Sequence, residues 1–232
     1  ACDWSSDVCS SDLGSPYMQP RQMLRELEKA MPENAMVSTD IGNICSISNS
    51  YLRFNKPNSM FAAMSFGNCG YAFPSIMGAK VASPERPAVA YVGDGAWGMS
   101  FGEILTCVRE EIPVTVVVFH NKQWGAEKKN QVDFYGNRFL GTNLVNPSFA
   151  EIARAMGAEG HVVSNLEDVG EALEKACAAQ DDGKTTILEV RSEEHTSNSS
   201  HKPTSYAVFC LKNKNNFAIA LSSPLVILPI NM

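Results

Sequence analysis

Apolar positions between residues 16 and 190 follow two different spacings, and they switch repeatedly. Residues 20–30 (PRQMLRELEKA) place Met23, Leu24, Leu27 and Ala30 on one helical face and stop at Met31-Pro32, which predicts a helix. Residues 35–39 form a short apolar strand running into Asp40-Ile41-Gly42. Residues 67–82 open on a glycine-rich turn and continue as a small-residue helix, where Gly78 and Ala79 would permit close packing. Residues 88–92 read as a buried strand ending in Gly93-Asp94-Gly95. The helix expected over 100–109 has Phe101, Ile104, Leu105 and Val108 as its inner stripe. Residues 114–119 are apolar and β-branched, as a central parallel strand requires. Amphipathic helices are expected over 148–156 and 166–178, and a last strand over 185–190. Strands separated by helical stretches predict an α/β fold: a doubly wound, mostly parallel sheet with helices on both faces. No internal repeat is visible.

The two ends do not share this patterning. Residues 1–15 are rich in Ser and Asp, and residues 191–216 are polar and aperiodic. Arg191 to Ser197 back-translates as AGA TCG GAA GAG CAC ACG TCT, the start of a common short-read sequencing adapter. Asn198 to His201 and Ser205 to Leu211 continue it, and Asp3 to Leu13 matches its reverse complement. Residues 1–15 and 191–232 are therefore expected to be translated adapter and spurious tail, without ordered structure. Residues 217–232 follow in frame, and Ser222, Ser223 and Pro224 break their apolar run. The remaining segment, 16–190, is expected to be a piece of a longer chain.

Composition narrows the classes. The 232 residues are 44% hydrophobic and 19% charged with net charge −6, enough apolar content for a core. The acidic balance, which segment 16–190 keeps, argues against nucleic-acid binding through phosphate neutralisation. Apolar runs are far short of a membrane span, and no basic-then-apolar leader precedes them. Seven cysteines with no CxxC pair point to reduced thiols and a cytoplasmic protein; Cys45, Cys69, Cys107 and Cys177 fall in 16–190.

The chemistry gathers at two strand ends. Gly93-Asp94-Gly95-Ala96 follows one strand and His120-Asn121-Lys122-Gln123 follows the next, with Asn121 27 positions after Asp94. One strand, one helix and another strand fill that interval, so both loops should emerge on the same sheet edge. Glycines let the backbone approach an anion, and the helix after Gly95 offers free N–H groups to a phosphate. Asp94 and Asn121 supply hard oxygen ligands of the kind Mg²⁺ takes together with ligand phosphates. Alone, GDG would be read as a plain turn and Asn121 as a loop cap. The strand context and the spaced Asn favour a magnesium diphosphate site.

This pattern resembles the diphosphate-binding motif of the thiamine diphosphate enzymes, and the resemblance extends over nearly all of 16–190. SFGNCGYAFP (65–74) looks like the glycine-rich, pyrimidine-side loop of the acetolactate synthase group, and Asp40-Ile41-Gly42-Asn43 like the loop touching the diphosphate there. GDGAWGMS (93–100), FHNKQWGAEKKNQVDFY (119–135) and PSFAEIARAMGAEG (147–160) are similar, more narrowly, to the sulfoacetaldehyde acetyltransferases of that group. The segment would be their C-terminal, diphosphate-binding domain. The resemblance implies thiamine diphosphate and Mg²⁺ as cofactors, with Asp94 and Asn121 as side-chain metal ligands and Gln123 as a backbone carbonyl ligand. It implies that Gly93, Gly95 and Ala96 hold the diphosphate, with Gly42 and Asn43 on its other side. Cys69 falls where the family has a bulky wedge residue, so it either shares that role with a neighbour such as Met64 or is a small buried hydrophobe. His120 is given no proton transfer. Lys128 and Lys129 either attract the sulfonate and phosphate or form a solvated helix face, and Trp124 either lines the pocket or packs.

The implied reaction converts sulfoacetaldehyde and phosphate to acetyl phosphate and sulfite. In this family a Glu on a separate pyrimidine-binding domain activates the cofactor, and the site forms between subunits. No such domain is read in 16–190, so its catalytic Glu is expected on a missing domain or partner subunit. A homo-oligomer is implied for the whole enzyme, and the chain alone is expected to be inactive. Two other readings remain open at this stage. One is a separate subunit of a split sulfopyruvate- or phosphonopyruvate-type decarboxylase, or another acetolactate synthase-like enzyme. The other is a non-catalytic module keeping the fold, against which the presence of Asp94 and Asn121 argues.

Overall fold

A computed structural model describes residues 18–49 and 51–192. The expectations for 1–15 and for 193–232 lie outside the described residues; Arg191 and Ser192, the start of the tail expected to lack ordered structure, are instead ordered, in the last strand and in a bridge to Met18. The elements run α1 (Pro20–Ala30), β1 (Met36–Thr39), α2 (Asn43–Ser48), β2 (Met60–Ala62), α3 (Ala72–Ala82), β3 (Ala88–Gly93), α4 (Asp94–Trp97), α5 (Ile104–Arg109), β4 (Thr115–His120), α6 (Gly125–Phe134), α7 (Phe149–Ala155), β5 (Glu159–Val163), α8 (Asp168–Ala178) and β6 (Thr186–Arg191). The six strands form one sheet in the order β2-β1-β3-β4-β6-β5, and every pairing is parallel. That is the doubly wound parallel architecture the alternation predicts.

Strand periodicity divides the core between the two faces. On one face Val89, Tyr91, Val117, Phe119, Leu188 and Val190 pack under α1 and α8, which contribute Met23, Leu24, Leu27, Val169 and Leu173. On the other, Ala88, Ala90, Val92, Val116, Val118 and Ile187 pack under α3, α5 and α7, with Phe73, Ile76, Ile104, Cys107 and Phe149. Each fully buried large aliphatic side chain is worth roughly 1.5–3 kcal/mol, so this two-sided burial holds the sheet edge rigid beneath its loops. β4 is buried along its whole length, as its β-branched run requires.

Two packing expectations are corrected. Leu105 and Val108 are exposed, and the buried side chains of that segment are Ile104 and Cys107. The segment starts as a 3-10 turn over Phe101–Glu103, which shifts the phase of the helix that follows. Gly78 is not a close-approach position, since a Cβ there would meet nothing within 4 Å. Close approach occurs instead at Gly160 of β5, where a Cβ would run into the Ala150 backbone of α7.

Candidate functional site

The sheet reverses its direction of winding at β1, which has β2 on one side and β3 on the other. The crevice between the carboxyl ends of β1 and β3 is thus the switch point where ligands of such sheets bind. Three loops leave the sheet there: residues 40–42 after β1, the turn at the end of β3, and residues 121–124 after β4. Gly42, Asn43, Cys69, Gly93, Asp94, Gly95, Ala96, Asn121 and Gln123 all line one cleft, together with Ile41, Ile44, Phe119, Trp124 and Glu127. The structure therefore brings together the nine positions expected to hold the cofactor and metal, with Trp124 beside them, but not Met64, Lys128 or Lys129.

Backbone geometry explains the residue types. Gly42 turns the chain out of β1 at φ 153°, a conformation side-chain-bearing residues rarely adopt. Gly95 lies against the Trp124 ring so closely that a Cβ would come within 2.8 Å of it. Trp124 therefore both packs and lines the cleft. The helix expected after Gly95 is a single turn that begins at Asp94, and the Gly95 N–H donates to the Asp94 carboxylate at 2.9 Å.

Asp94 is only 1% exposed. Its Oδ1 accepts from Gly95, and its Oδ2 accepts the Lys122 N–H at 2.6 Å and the Asn146 Nδ2 at 2.9 Å. Lys122 adopts φ 59°, a left-handed conformation that a lysine holds only at a cost, and it is this residue whose N–H reaches Asp94. Burial pushes the Asp94 carboxyl up, opposed by the Lys122 N–H, the nearby His120 ring, the Gly95 N–H and Asn146. Asn121 Oδ1 accepts the Gln123 N–H at 3.2 Å, which curls the loop after β4.

Beneath this loop, His120 is buried with Nδ1 2.9 Å from Glu189 Oε1 and its ring 5.2 Å from that of Phe149. Its Nε2 is 3.9 Å from Asp94 Oδ2 and makes no hydrogen bond. Burial would raise the Glu189 carboxyl, but hydrogen bonds from His120, Ser148 and the Ala150 N–H bring it down to about 2. On the β1 side, Asp40 Oδ1 accepts the N–H groups of Tyr71 (2.7 Å) and Ala72 (3.0 Å), tying the loop after β1 to the start of α3. Cys69 Sγ donates to the Ile41 carbonyl at 3.5 Å, and burial, followed by Asp40 and Glu127, raises its thiol. Met64 is exposed, against the Cys45 sulfur at 3.9 Å, and is not part of the cleft wall. The two lysines part company: Lys129 pairs with Asp133 on its own helix, while Lys128 Nζ donates to Gln123 Oε1 at 2.8 Å and Asn143 Oδ1 at 3.2 Å.

Residues 40–190 match the family described as "Thiamine pyrophosphate enzyme, C-terminal TPP binding domain". The chain belongs to the thiamine pyrophosphate enzymes. It is 71% identical over 175 residues to a sulfoacetaldehyde acetyltransferase of Castellaniella defragrans, covering 75% of this chain and 29% of that protein. It is 66% identical over 178 residues to one of Alcaligenes xylosoxydans xylosoxydans, covering 76% of this chain and 30% of that protein. The chain thus spans about 30% of the length of the curated relatives it matches. In fold it is similar to a thiamine diphosphate-dependent 4-hydroxybenzoylformate decarboxylase of Rhodococcus jostii RHA1. That likeness has a TM-score of 0.73 at 23% identity and covers 79% of this chain and 34% of the other.

The cleft of this thiamine pyrophosphate enzyme suits a diphosphate with a hard cation. Asp94 is a carboxylate that burial drives toward protonation against the pull of its hydrogen bonds, so a cation beside it would favour its charged form. Among the described residues no cluster of three or more His, Cys, Asp or Glu has metal-holding geometry, so a cation here would draw ligands from amide and carbonyl oxygens and from the cofactor's phosphates. Sequence reading missed Asn146 and Glu189. Asn146 lies 52 positions from Asp94, and Asn146-Pro147-Ser148 reads only as a helix start, so no local signal gives the contact. Glu189 carried one usable clue, an acidic residue at an inward position of an otherwise apolar strand.

Proposed function

We propose that this chain is the diphosphate- and magnesium-binding part of an acetyltransferase that converts sulfoacetaldehyde and phosphate to acetyl phosphate and sulfite. Asp94 and Asn121 hold Mg²⁺ through their side chains and Gln123 through its carbonyl. Gly93, Gly95 and Ala96 face the diphosphate from one side, Gly42 and Asn43 from the other, and Cys69 stands on the pyrimidine side. When bound, thiamine diphosphate supplies a nucleophilic carbon and an electron sink for the carbonyl chemistry. What this chain contributes is placement: a rigid sheet edge, a buried anionic ligand and a cleft lined by Trp124 and Ala96.

The observation that carries the reading is the convergence of nine positions from four sequence segments on one switch-point cleft. The 71% identity to a named sulfoacetaldehyde acetyltransferase favours that substrate over the decarboxylases. The activating Glu belongs to a pyrimidine-binding domain in the part of the relatives this chain does not span, and the complete site forms in a homo-oligomer. Residues 1–15 and 191–232 are read as translated adapter and spurious tail. The test is to sequence the source locus across both junctions and assay the whole enzyme. Sulfite release that requires both sulfoacetaldehyde and phosphate is expected. Decarboxylation of a 2-oxo acid with no response to sulfoacetaldehyde overturns the assignment in favour of a split decarboxylase.

A further inference from the structure

We propose that Glu189 is a positioning residue for the metal ligands, fixing from one buried carboxylate the two segments that hold Asp94 and Asn121. The inference rests on the proposed function and deepens it.

Glu189 sits on β6, on the same face as Ile187, 1% exposed beneath the start of α7. An apolar residue would be cheaper there, because a buried carboxylate must be fully hydrogen-bonded to be tolerated. Its two oxygens face different segments. Oε1 is 2.9 Å from Nδ1 of His120, the last residue of β4 and the neighbour of Asn121. Oε2 accepts Ser148 Oγ at 2.7 Å and the Ala150 N–H at 3.1 Å. Two residues before Ser148, Asn146 donates to Asp94 Oδ2 at 2.9 Å; two residues after His120, Lys122 donates to the same oxygen at 2.6 Å. Both segments that Glu189 ties down therefore end on one oxygen of Asp94. Groups that hold metal ligands in this indirect way typically change metal affinity about 10- to 100-fold when altered.

The experiment measures the thermal midpoint of the whole enzyme, recovered from the source locus, against Mg²⁺ concentration at fixed thiamine diphosphate. Wild type, Glu189→Gln and Ile187→Val are compared, the last being a core change on the same strand that loosens packing without touching either loop. Glu189→Gln is expected to need at least about 10-fold more Mg²⁺ for its half-maximal shift, and Ile187→Val the wild-type amount. An unchanged Mg²⁺ requirement in Glu189→Gln overturns the inference, and so does an equal increase in both variants, which would report lost stability alone. If Glu189→Gln does not fold, Ser148→Ala carries the test: a raised Mg²⁺ requirement supports the inference and an unchanged one overturns it. A wild-type chain with no Mg²⁺-dependent shift overturns the proposed function itself, a result distinct from the other two.

Discussion

Replacing Gly95 with alanine sets a methyl group against the Trp124 ring. The new Cβ would lie 2.8–2.9 Å from three ring atoms, short of ordinary contact at 3.4 Å by about 0.6 Å. Overpacking of this kind costs roughly 1–3 kcal/mol. Opposing it, Gly95 sits in a helical turn, where alanine gains about 0.5–1 kcal/mol over glycine through the unfolded chain. In the wild-type background the clash should win, lowering the midpoint by a few degrees at about 2–4 °C per kcal/mol. In a Trp124→Ala background the ring is gone, and the same Gly95→Ala change should become neutral or stabilising. A double-mutant cycle by urea denaturation isolates the difference, which should be at least about 1 kcal/mol. Equal effects of Gly95→Ala in the two backgrounds would refute the packing of Trp124 on this turn, and with it the explanation for glycine there.

Gly160→Ala should be the harsher glycine change, since its Cβ meets Ala150 backbone rather than a movable side chain; a loss of less than about 1 kcal/mol in denaturant would contradict the packing of α7 on β5. Ile104→Ala should cost about 2–5 kcal/mol, while Leu105→Ser should stay within about 0.5 kcal/mol; a comparably large loss in Leu105→Ser would restore the inner stripe expected from sequence. The Glu189 carboxyl is held at about 2 in the folded chain against an ordinary value of 4.5. Its folded value is depressed, so its stabilisation is complete above pH 4.5 and is lost as pH falls through 2. Acid denaturation should therefore flatten across that window in Glu189→Gln, and an unchanged pH profile would contradict the assignment.

What the sequence reveals depends on whether the signal is local. The strands of the central sheet are legible because β-branched runs such as residues 114–119 must be buried on both faces. The cleft residues are legible because glycines and oxygen ligands stand directly at strand ends, where topology must bring them together. α6 escapes this reading because it buries no side chain and so carries no apolar stripe, and β2 is only three residues long. Residues 104–108 hold two candidate stripes, Ile104 with Cys107 and Leu105 with Val108, at the same spacing. Only the 3-10 entry decides which one faces the sheet. The links from Asn146 to Asp94 and from Glu189 to His120 and Ser148 are products of tertiary packing, spanning 52, 69 and 41 positions.

The central claim, that this cleft takes the cofactor's diphosphate through a cation on Asp94, is tested most directly by ligand-dependent thermal stabilisation. The full chain would be melted with thiamine diphosphate, with Mg²⁺ or with a chelator, alongside Asp94→Asn, which keeps the side-chain shape and removes the charge. Binding at 100-fold over Kd is worth about 2.7 kcal/mol, or about 5–11 °C for a chain of this size. The account predicts a rise of several degrees that needs both cofactor and Mg²⁺ and vanishes in Asp94→Asn. A rise that survives chelation, or that persists in Asp94→Asn, would contradict it.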